Sequence, residues 1–398
     1  EEFHITMARQ TAISINTIPI GPLGIIGMPG CEELTDKIDK YLVKWRRTQA
    51  SEHAESIAFF GYQRDTYKID VSIPRFGSGE GKGVINESVR GYDIYIVCDV
   101  FNYSCSYDMY GRKVYMSPDD HFADLKRVIS ALCSKPKRVS VIMPMLYEGR
   151  QHKRSSRESL DCAMALKELV HLGVENIITF DAHDQRVQNA IPDKSFENVM
   201  PTYQMIKALV NNVEDLNVDK DHLMIISPDE GALHRCIYFA TQLGVNLGMF
   251  YKRRDYTRVV NGRNPIVEHQ YLGDSVKDKD IIIVDDMISS GESMLEVAMK
   301  LKNLGCGRIF VCTTFGLFCN GLDVFDKAYK DGVFYRVFTT NGVYQPQELL
   351  DREWYVSVEL SKYAAYLIDT LNHDMSVSSL LDSSAKIDTL LKNKGLKD

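Results

Sequence analysis

Residues 281–304 read IIIVDDMISSGESMLEVAMKLKNL, which is an apolar run, two carboxylates, a loop of small residues and an amphipathic stretch. The run at 281–284 shows no alternation, which is typical of a strand buried on both faces of a parallel sheet. Apolar side chains then recur every three to four positions from Met294 up to Gly305, a residue suited to ending a helix. The segment predicts a strand, a loop and a helix, the repeating unit of an α/β fold.

The loop between this strand and helix is suited to an anion. Its hydroxyl and backbone N–H groups lie at a predicted helix N-terminus, where the helix dipole favours a phosphate. These residues are Ser289, Ser290, Gly291 and Ser293. Asp285 and Asp286 repel a phosphate, but their oxygens suit sugar hydroxyls or a hydrated Mg²⁺, so a ribose 5-phosphate fits both halves. A purely structural role of this segment is also open, because acidic strand ends and Gly/Ser turns are common in α/β proteins.

The chain has 398 residues, 44% of them hydrophobic and 25% charged, which is enough for two ordinary domains. It has no apolar run near the roughly 20 residues of a membrane span and no signal-peptide pattern, so we expect a soluble, cytoplasmic protein without a membrane partner. Nine scattered cysteines without a CxxC pair indicate reduced thiols. A formal charge of −7 argues against a nucleic-acid partner.

Strand-like runs and helical patterns alternate along the chain, which predicts mainly parallel sheets flanked by helices. The predicted strands are 94–97, 139–143, 177–180, 223–227, 247–251, 281–284 and 309–313. The predicted helices are 120–132, 158–172, 232–243 and 294–304. The strands in both halves that run into acidic or His-bearing turns suggest two duplicated domains.

Two further segments suit the binding of a ligand. Residues 75–91 read RFGSGEGKGVINESVRG, whose glycines permit close approach of a ligand, although a plain hairpin loop explains them as well. Residues 149–157 read GRQHKRSSR, a basic segment that suits either a polyphosphate or a solvated loop. A second basic cluster begins at Lys252, and the sequence contains no Walker A motif.

Other chemically capable side chains come directly after predicted strands. Asp181 and His183 follow the strand at 177–180, and Asp229 follows the strand at 223–227. Because ligands of open α/β sheets bind at the carboxyl ends of the strands, these side chains are candidates for Mg²⁺ or phosphate. A histidine in such a place is also common as a structural residue.

Taken in order, these segments resemble the ribose-phosphate diphosphokinases, also called phosphoribosyl pyrophosphate synthetases, from about residue 24 to about residue 381. The resemblance implies two phosphoribosyltransferase-like α/β domains and a homo-oligomer. It implies that the diphosphoryl group of ATP is transferred to the 1-hydroxyl of ribose 5-phosphate, with Mg²⁺, for nucleotide biosynthesis. The expected divisions are an extension at 1–22, a domain at 23–199 with an insertion at about 46–70, a domain at 200–355, a terminal segment at 356–383 that packs back on the first domain, and a tail at 384–398.

The resemblance also implies roles for single residues, carried over by their positions. The pair that matches the basic residues of catalysis is Lys252 and Arg254. The other implied roles are ATP binding for Phe76, Ser78, Glu80, Arg150, Gln151 and His183, metal binding for Asp181, His183 and Asp229, and ribose 5-phosphate binding for Asp229, Asp285, Asp286, Ser289, Ser290, Gly291 and Ser293.

Several positions depart from the family pattern. Ser78 stands where an aspartate is usual, and serines stand at 289, 290 and 293, which keeps hydroxyl donors in the loop. Glu292 replaces a glycine there. A carboxylate beside a bound phosphate costs Coulomb energy unless it points away or pairs with a cation.

The sequence leaves two other functions open. A phosphoribosyltransferase uses the same Asp285-Asp286 motif, but the segments at 75–80 and 150–151 have no place in one. A catalytically silent regulatory subunit of a synthetase assembly is suggested by the altered residues 289–293, whereas the retained Lys252 argues against it.

Overall fold

The computed structural model describes residues 17–49, 61–254 and 266–397. The chain divides into two compact units, which are Glu1–Met200 with Leu360–Asp382 and Pro201–Glu359 with Ser383–Asp398. We call these the first unit and the second unit. In the described part of the chain, no helix is long and apolar enough to cross a membrane.

The secondary structure alternates between strands and helices along most of the chain. The strands are β1 Leu23–Gly27, β2 Val71–Ser72, β3 Val84–Ile85, β4 Asp93–Val97, β5 Ser106–Met109, β6 Arg112–Tyr115, β7 Arg138–Ile142, β8 Asn176–Phe180, β9 Ser195–Val199, β10 Leu223–Ser227, β11 Asn246–Arg254, β12 Ile266–Leu272, β13 Asp280–Ile288, β14 Ile309–Gly316, β15 Arg336–Thr340 and β16 Tyr355–Val358. The α-helices are α1 Glu32–Gln49, α2 Pro118–Ala131, α3 Asp161–His171, α4 Thr202–Asn212, α5 Leu233–Leu243, α6 Glu292–Asn303, α7 Asp323–Lys330, α8 Gln347–Leu350, α9 Ser361–Asn372, α10 Ser378–Leu381 and α11 Ser384–Asn393.

The first unit contains a five-stranded parallel sheet in the order β1-β4-β7-β8-β9. Its inner strand β4 is fully buried, as expected for a parallel strand covered on both faces. Helix α2 begins in a capping box, in which Ser117 and Asp120 satisfy each other's backbone N–H groups, followed by Pro118 at a position that suits proline. Two antiparallel pairs, β2–β3 and β5–β6, lie outside this sheet.

The second unit contains a seven-stranded sheet in the order β12-β11-β10-β13-β14-β15-β16. All neighbouring strands are parallel except β11 and β12. In β13, Ile281 and Ile283 pack in one apolar cluster, while Ile282 and Val284 pack in another on the opposite face. The unbroken apolar run is therefore explained by burial on both faces of the sheet.

The structure confirms the α/β class, the seven predicted strands and the four predicted helices. Gly305 has φ +84 directly after α6, which confirms its role at the helix end. Three predicted strand ends were too early, because β11 continues through Arg254, β13 through Ile288 and β14 through Gly316. Asp285 and Asp286 therefore lie on a strand and not in a turn.

Two other segments differ from the expected picture. The segment at 384–398 was expected to be a tail, but most of it forms α11, in which Ile387 and Leu391 are fully buried. Of the expected insertion at 46–70, the residues 50–60 lie outside the described residues. The part of it that is described begins as the end of α1 and includes the buried Tyr67.

Candidate active site

The loop at 289–291 connects β13 to the N-terminus of α6. Gly291 occupies the N-cap position with φ +89, a conformation that L side chains rarely adopt. A Cβ at this position would also overlap the ring of Phe325. The following residues Glu292 and Ser293 are exposed, whereas Met294 and Leu295 are buried, so one side of the first turn of α6 is open to solvent. An exposed helix N-terminus that follows a small-residue loop is suited to a phosphate.

The segment at 317–320 holds this loop from one side. The N–H of Leu317 donates to the oxygen of Ile288 at 2.8 Å, and the N–H of Cys319 donates to the oxygen of Ser289 at 2.9 Å. Asn320 Nδ2 donates to Glu292 Oε1 at 3.4 Å. The carboxylate that departs from the family pattern thus contacts a side-chain amide.

Asp285 and Asp286 lie at the carboxyl end of β13. Asp286 is buried, and its N–H donates to Asp285 Oδ1 at 2.8 Å. Burial and the negative charge of Asp286 raise the pKa of Asp285 well above its usual value. Arg235 opposes this shift, since its Nη1 lies 3.5 Å from Asp285 Oδ1. The carboxylates and the guanidinium together form a charged cluster between β13 and α5.

Asp229 lies in the turn that connects β10 to α5. Its Oδ1 accepts hydrogen bonds from the N–H groups of Gly231 at 2.9 Å and Ala232 at 3.2 Å. Its charge contributes to the raised pKa of Asp285. Because β10 and β13 are parallel neighbours, their carboxyl ends bring Asp229, Asp285 and Asp286 to one edge of the sheet.

Arg235 was not predicted as a site residue. It lies in the first turn of α5 and is mostly buried, and its contact with Asp285 crosses 50 positions of sequence. The available signal was a basic residue at the start of a predicted helix, directly after the turn that holds Asp229. A signal of this kind does not indicate which acid the arginine meets.

The basic pair predicted for catalysis lies at the end of β11. In the backbone register, Lys252 is opposite His269 and Arg254 is opposite Ile266 of β12. The side chains of both residues, and the segment 255–265, lie outside the described part of the structure. Their catalytic role stays a prediction.

The loop at 75–81 in the first unit is a hairpin. The N–H of Phe76 donates to the oxygen of Glu80 at 2.9 Å, and the N–H of Gly79 donates to the oxygen of Phe76 at 2.8 Å. Ser78 Oγ donates to Glu80 Oε2 at 2.7 Å. The residue Phe76 is 59% exposed. The loop thus presents an aromatic face and an oriented carboxylate, which are groups able to contact a nucleobase.

Two other predicted segments of the first unit lie close together. The rings of His152 and His183 are 5.2 Å apart. His152 Nε2 lies 3.4 Å from Asp184 Oδ2, and burial lowers the pKa of His152. The basic segment that begins with Arg150 therefore meets the turn after β8.

Asp181 is strained and buried at the start of this turn. Its φ is +42, which is unusual for a residue other than glycine, and its side chain is 4% exposed. Such strain is often found at functional sites. Gln151 Nε2, in contrast, donates to the oxygen of Ser159 at 2.9 Å within its own segment.

In the part of the chain that the structure describes, no group of three or more His, Cys, Asp or Glu residues could hold a metal ion by itself. Among the described residues, the acidic side chains above, including Asp229, Asp285 and Asp286 at one edge of the sheet, do not form such a group. This is compatible with Mg²⁺, which commonly binds through one or two carboxylates together with water and substrate phosphates.

Comparison with known proteins adds an independent observation. Residues 23–173 match the model of the N-terminal domain of ribose phosphate pyrophosphokinase, and residues 194–346 match the phosphoribosyl transferase domain. The chain belongs to the ribose-phosphate pyrophosphokinase family. The first match of this family member lies wholly in the first unit, and the second lies in the second unit from residue 201 onward.

Relatives within the family span most of the chain. It is 26% identical over 318 residues to the ribose-phosphate pyrophosphokinase of Vibrio parahaemolyticus, which covers 79% of this chain and 91% of the relative. It is 27% identical over 315 residues to that of Helicobacter pylori strain ATCC 700392 / 26695, covering 77% and 87%. The crystal structure of phosphoribosylpyrophosphate synthetase from Mycobacterium smegmatis is similar with a TM-score of 0.68 and 19% identity, covering 88% of this chain and 99% of that one. This structural likeness shows the same two-domain phosphoribosyltransferase-type fold.

Proposed function

We propose that the protein transfers the diphosphoryl group of ATP to the 1-hydroxyl of ribose 5-phosphate, which gives phosphoribosyl pyrophosphate and AMP. The observation that carries this proposal is the combination of two features on one chain. Residues 23–173 match a domain that belongs to pyrophosphokinases, and the second unit has an acidic strand end followed by an open helix N-terminus. The first feature supports a nucleotide donor and the second supports a sugar phosphate acceptor.

Ribose 5-phosphate is proposed to bind in the second unit. Its phosphate would accept hydrogen bonds from the loop at 289–291 and the first turn of α6, with Ser289, Ser290 and Ser293 as hydroxyl donors. Its ring hydroxyls would donate to Asp285 and Asp286. Arg235 supports this role, because its positive charge favours the ionised form of Asp285 against the effect of burial.

ATP is proposed to bind in the first unit. The exposed ring of Phe76 offers a face for the base, and Glu80, oriented by Ser78, offers an acceptor for its amino group. Arg150 and His183 are proposed at the phosphates, where a guanidinium gives two parallel hydrogen bonds. Gln151 is assigned to the nucleotide by resemblance alone.

The chemical step is proposed to be a direct in-line attack on the β-phosphorus of ATP. A phosphoryl-type transfer needs little from a protein nucleophile, so positioning and neutralisation of charge are the main contributions of the chain. Lys252 and Arg254 are proposed to stabilise the charge of the diphosphoryl group as it is transferred.

Magnesium is the proposed metal. The proposed ligands are Asp181 and His183 in the first unit and Asp229 in the second unit, in each case with water and phosphate oxygens. The strained, buried Asp181 fits a carboxylate kept in place for a ligand. When bound, Mg²⁺ supplies positive charge that neutralises the phosphates. The resemblance also implies a homo-oligomer, which sedimentation velocity would detect.

The other two functions are less well supported. A phosphoribosyltransferase would not need the pyrophosphokinase domain that matches residues 23–173. A silent subunit was suggested by Glu292, but this carboxylate contacts Asn320 in an exposed position. Neither alternative is favoured by the comparisons.

One assay separates these functions. Purified protein is incubated with ATP, Mg²⁺ and ribose 5-phosphate, and the adenine nucleotides are separated by chromatography. We expect AMP, formed in equal amount to phosphoribosyl pyrophosphate. ADP would instead indicate an ordinary kinase, and the absence of turnover would favour the silent subunit.

The catalytic pair is tested in the same assay. Lys252→Ala should lower turnover by orders of magnitude with little change in ATP binding, because the lysine is proposed to act on the charge of the transferred group. Lys277→Ala removes an exposed lysine from the same unit and serves as the control. Near-normal turnover of the Lys252 variant would refute the proposed role.

A further inference from the structure

Arg75 lies at the base of the loop at 75–81, and its side chain is 11% exposed. Its Nη2 donates to Asp124 Oδ2 of α2 at 2.5 Å, and its Nη1 donates to the backbone oxygen of Gly79 at 3.3 Å. Its guanidinium carbon lies 4.3 Å from the centre of the Tyr107 ring in β5. One side chain therefore connects the loop to a helix and to a hairpin.

The hairpin β5–β6 holds the same loop from another side. The N–H of Tyr110 donates to the oxygen of Gly77 at 2.8 Å. Gly79 has φ +94, and a Cβ there would lie 2.6 Å from Met109 Sδ. The backbone of the loop is thus fixed by the hairpin and by Arg75, while the Phe76 side chain is exposed. A side chain with so little packing of its own depends on its backbone for its position.

Asp124 has a second cationic partner, Arg127, in addition to Arg75. The effect of removing Arg75 on the loop can therefore be separated from an effect on the stability of the core. The Asp124 side chain is 2% exposed, and Arg127 Nη1 lies 2.5 Å from its other oxygen, Oδ1. A buried carboxylate that loses its last partner is strongly destabilising. Because Arg127 remains, removal of Arg75 leaves Asp124 paired. The effect of the removal should therefore fall mainly on the loop.

We propose that Arg75 is a positioning residue for the nucleotide donor: it holds the turn that presents Phe76, Ser78 and Glu80, without touching the nucleotide itself. This inference rests on the proposed function, since it takes the loop at 75–81 as the contact for the base of ATP. Arg75 then controls the apparent affinity for ATP and has no effect on ribose 5-phosphate. A purely structural role would instead weaken the binding of both substrates and lower the stability of the fold together.

The test compares Arg75→Met and Arg75→Lys with Lys126→Met. Lysine retains a positive charge near Asp124. It lacks, however, the second guanidinium nitrogen, which in Arg75 donates to the Gly79 oxygen. Lys126 is on the same helix α2 and pairs with Glu168 of α3 at 2.7 Å, so its variant loses one cation from the helix without affecting the loop. AMP formation is measured with ATP varied at saturating ribose 5-phosphate, and then the reverse. Calorimetry measures binding of ATP to each protein directly.

We expect Arg75→Met to raise KM for ATP and the calorimetric Kd about tenfold, with KM for ribose 5-phosphate within about twofold of wild type. Arg75→Lys should lie between, and Lys126→Met should match wild type. Unchanged KM for ATP in Arg75→Met would overturn the proposal, as would an equal rise of both KM values. If Arg75→Met does not fold, a wild-type KM for ATP in Arg75→Lys overturns it. A wild-type protein that makes no AMP refutes the proposed function instead, and calorimetry still tests Arg75.

Discussion

Gly291 and Gly305 lie at opposite ends of α6, and both have positive φ, +89 and +84. At Gly305 the nearest atom to a built Cβ is 3.7 Å away, whereas at Gly291 the Cβ would overlap the buried ring of Phe325. Both positions carry the same backbone cost for alanine, about 1–2 kcal/mol, but only Gly291 adds a steric clash beneath the proposed phosphate loop.

We therefore predict that Gly291→Ala lowers the melting temperature more than Gly305→Ala. It should also raise KM for ribose 5-phosphate at least about tenfold, because a loop displaced by an ångström loses aligned N–H donors. Gly305→Ala should leave that KM unchanged. Thermal melts and initial rates measure these effects, and equal KM values for the two variants would contradict a role of the loop in binding.

At the scale of elements, a buried ion pair in the first unit joins helix α1, near the start of the chain, to helix α9, near its end. Arg46 in α1 donates two hydrogen bonds to Asp369 in α9, at 2.9 and 2.7 Å, and one to Asn372 at 2.7 Å. Both ion-pair partners are almost fully buried. His373 completes this network, with Nδ1 2.7 Å from the backbone oxygen of Asp369 and Nε2 3.2 Å from the Tyr62 hydroxyl.

This network predicts a dependence of stability on pH. Burial lowers the pKa of His373, and the charge of Arg46 acts in the same direction, while Asp369 opposes it. The unfolded chain therefore binds a proton near pH 6.5 that the folded chain does not, so stability falls as the pH drops below that value. The melting temperature of wild type should fall between about pH 7.5 and about pH 5.5 by more than that of His373→Gln. His222→Gln, at an exposed site, is the control, and identical falls in all three proteins would contradict the assignment.

Helix α11 predicts a second effect at this scale. Ile387 and Leu391 are fully buried in the same apolar cluster as Met205 and Leu209 of α4. Leu391→Ala should lower the free energy of unfolding of the second unit by about 2–5 kcal/mol, the usual cost of a buried leucine. Lys392→Ala, at an exposed neighbour, should change it by less than about 0.5 kcal/mol. Urea titration measures the free energy of unfolding of both variants. Equal stability of the two variants would show that this segment does not stabilise the second unit, as expected of a tail.

At the scale of the whole molecule, the local sequence pattern predicted the helices and strands better than it predicted which distant residues contact each other. Strand β13 and helix α6 could be predicted from the sequence, because the spacing of apolar residues follows directly from which side chains are buried. Strand β12 reads IVEHQYL and β9 reads SFENV, whose polar residues conceal a strand from the same test. Arg235 with Asp285, and Arg46 with Asp369, meet across 50 and 323 positions, and a single sequence contains no local signal for such pairs.

The chain has two tryptophans, one in each unit, and these allow the two proposed substrate sites to be examined separately. Trp354 stacks on Phe325 with ring centres 5.6 Å apart, and Phe325 lies directly beneath Gly291. Trp45 stacks on Tyr366 in the first unit. Ribose 5-phosphate alone should therefore change the fluorescence of Trp45→Phe, in which Trp354 is the reporter, and leave that of Trp354→Phe unchanged. Addition of Gly291→Ala to the first variant should weaken the response. A response only in Trp354→Phe would place the sugar phosphate in the first unit and contradict the proposed division of substrates between the domains.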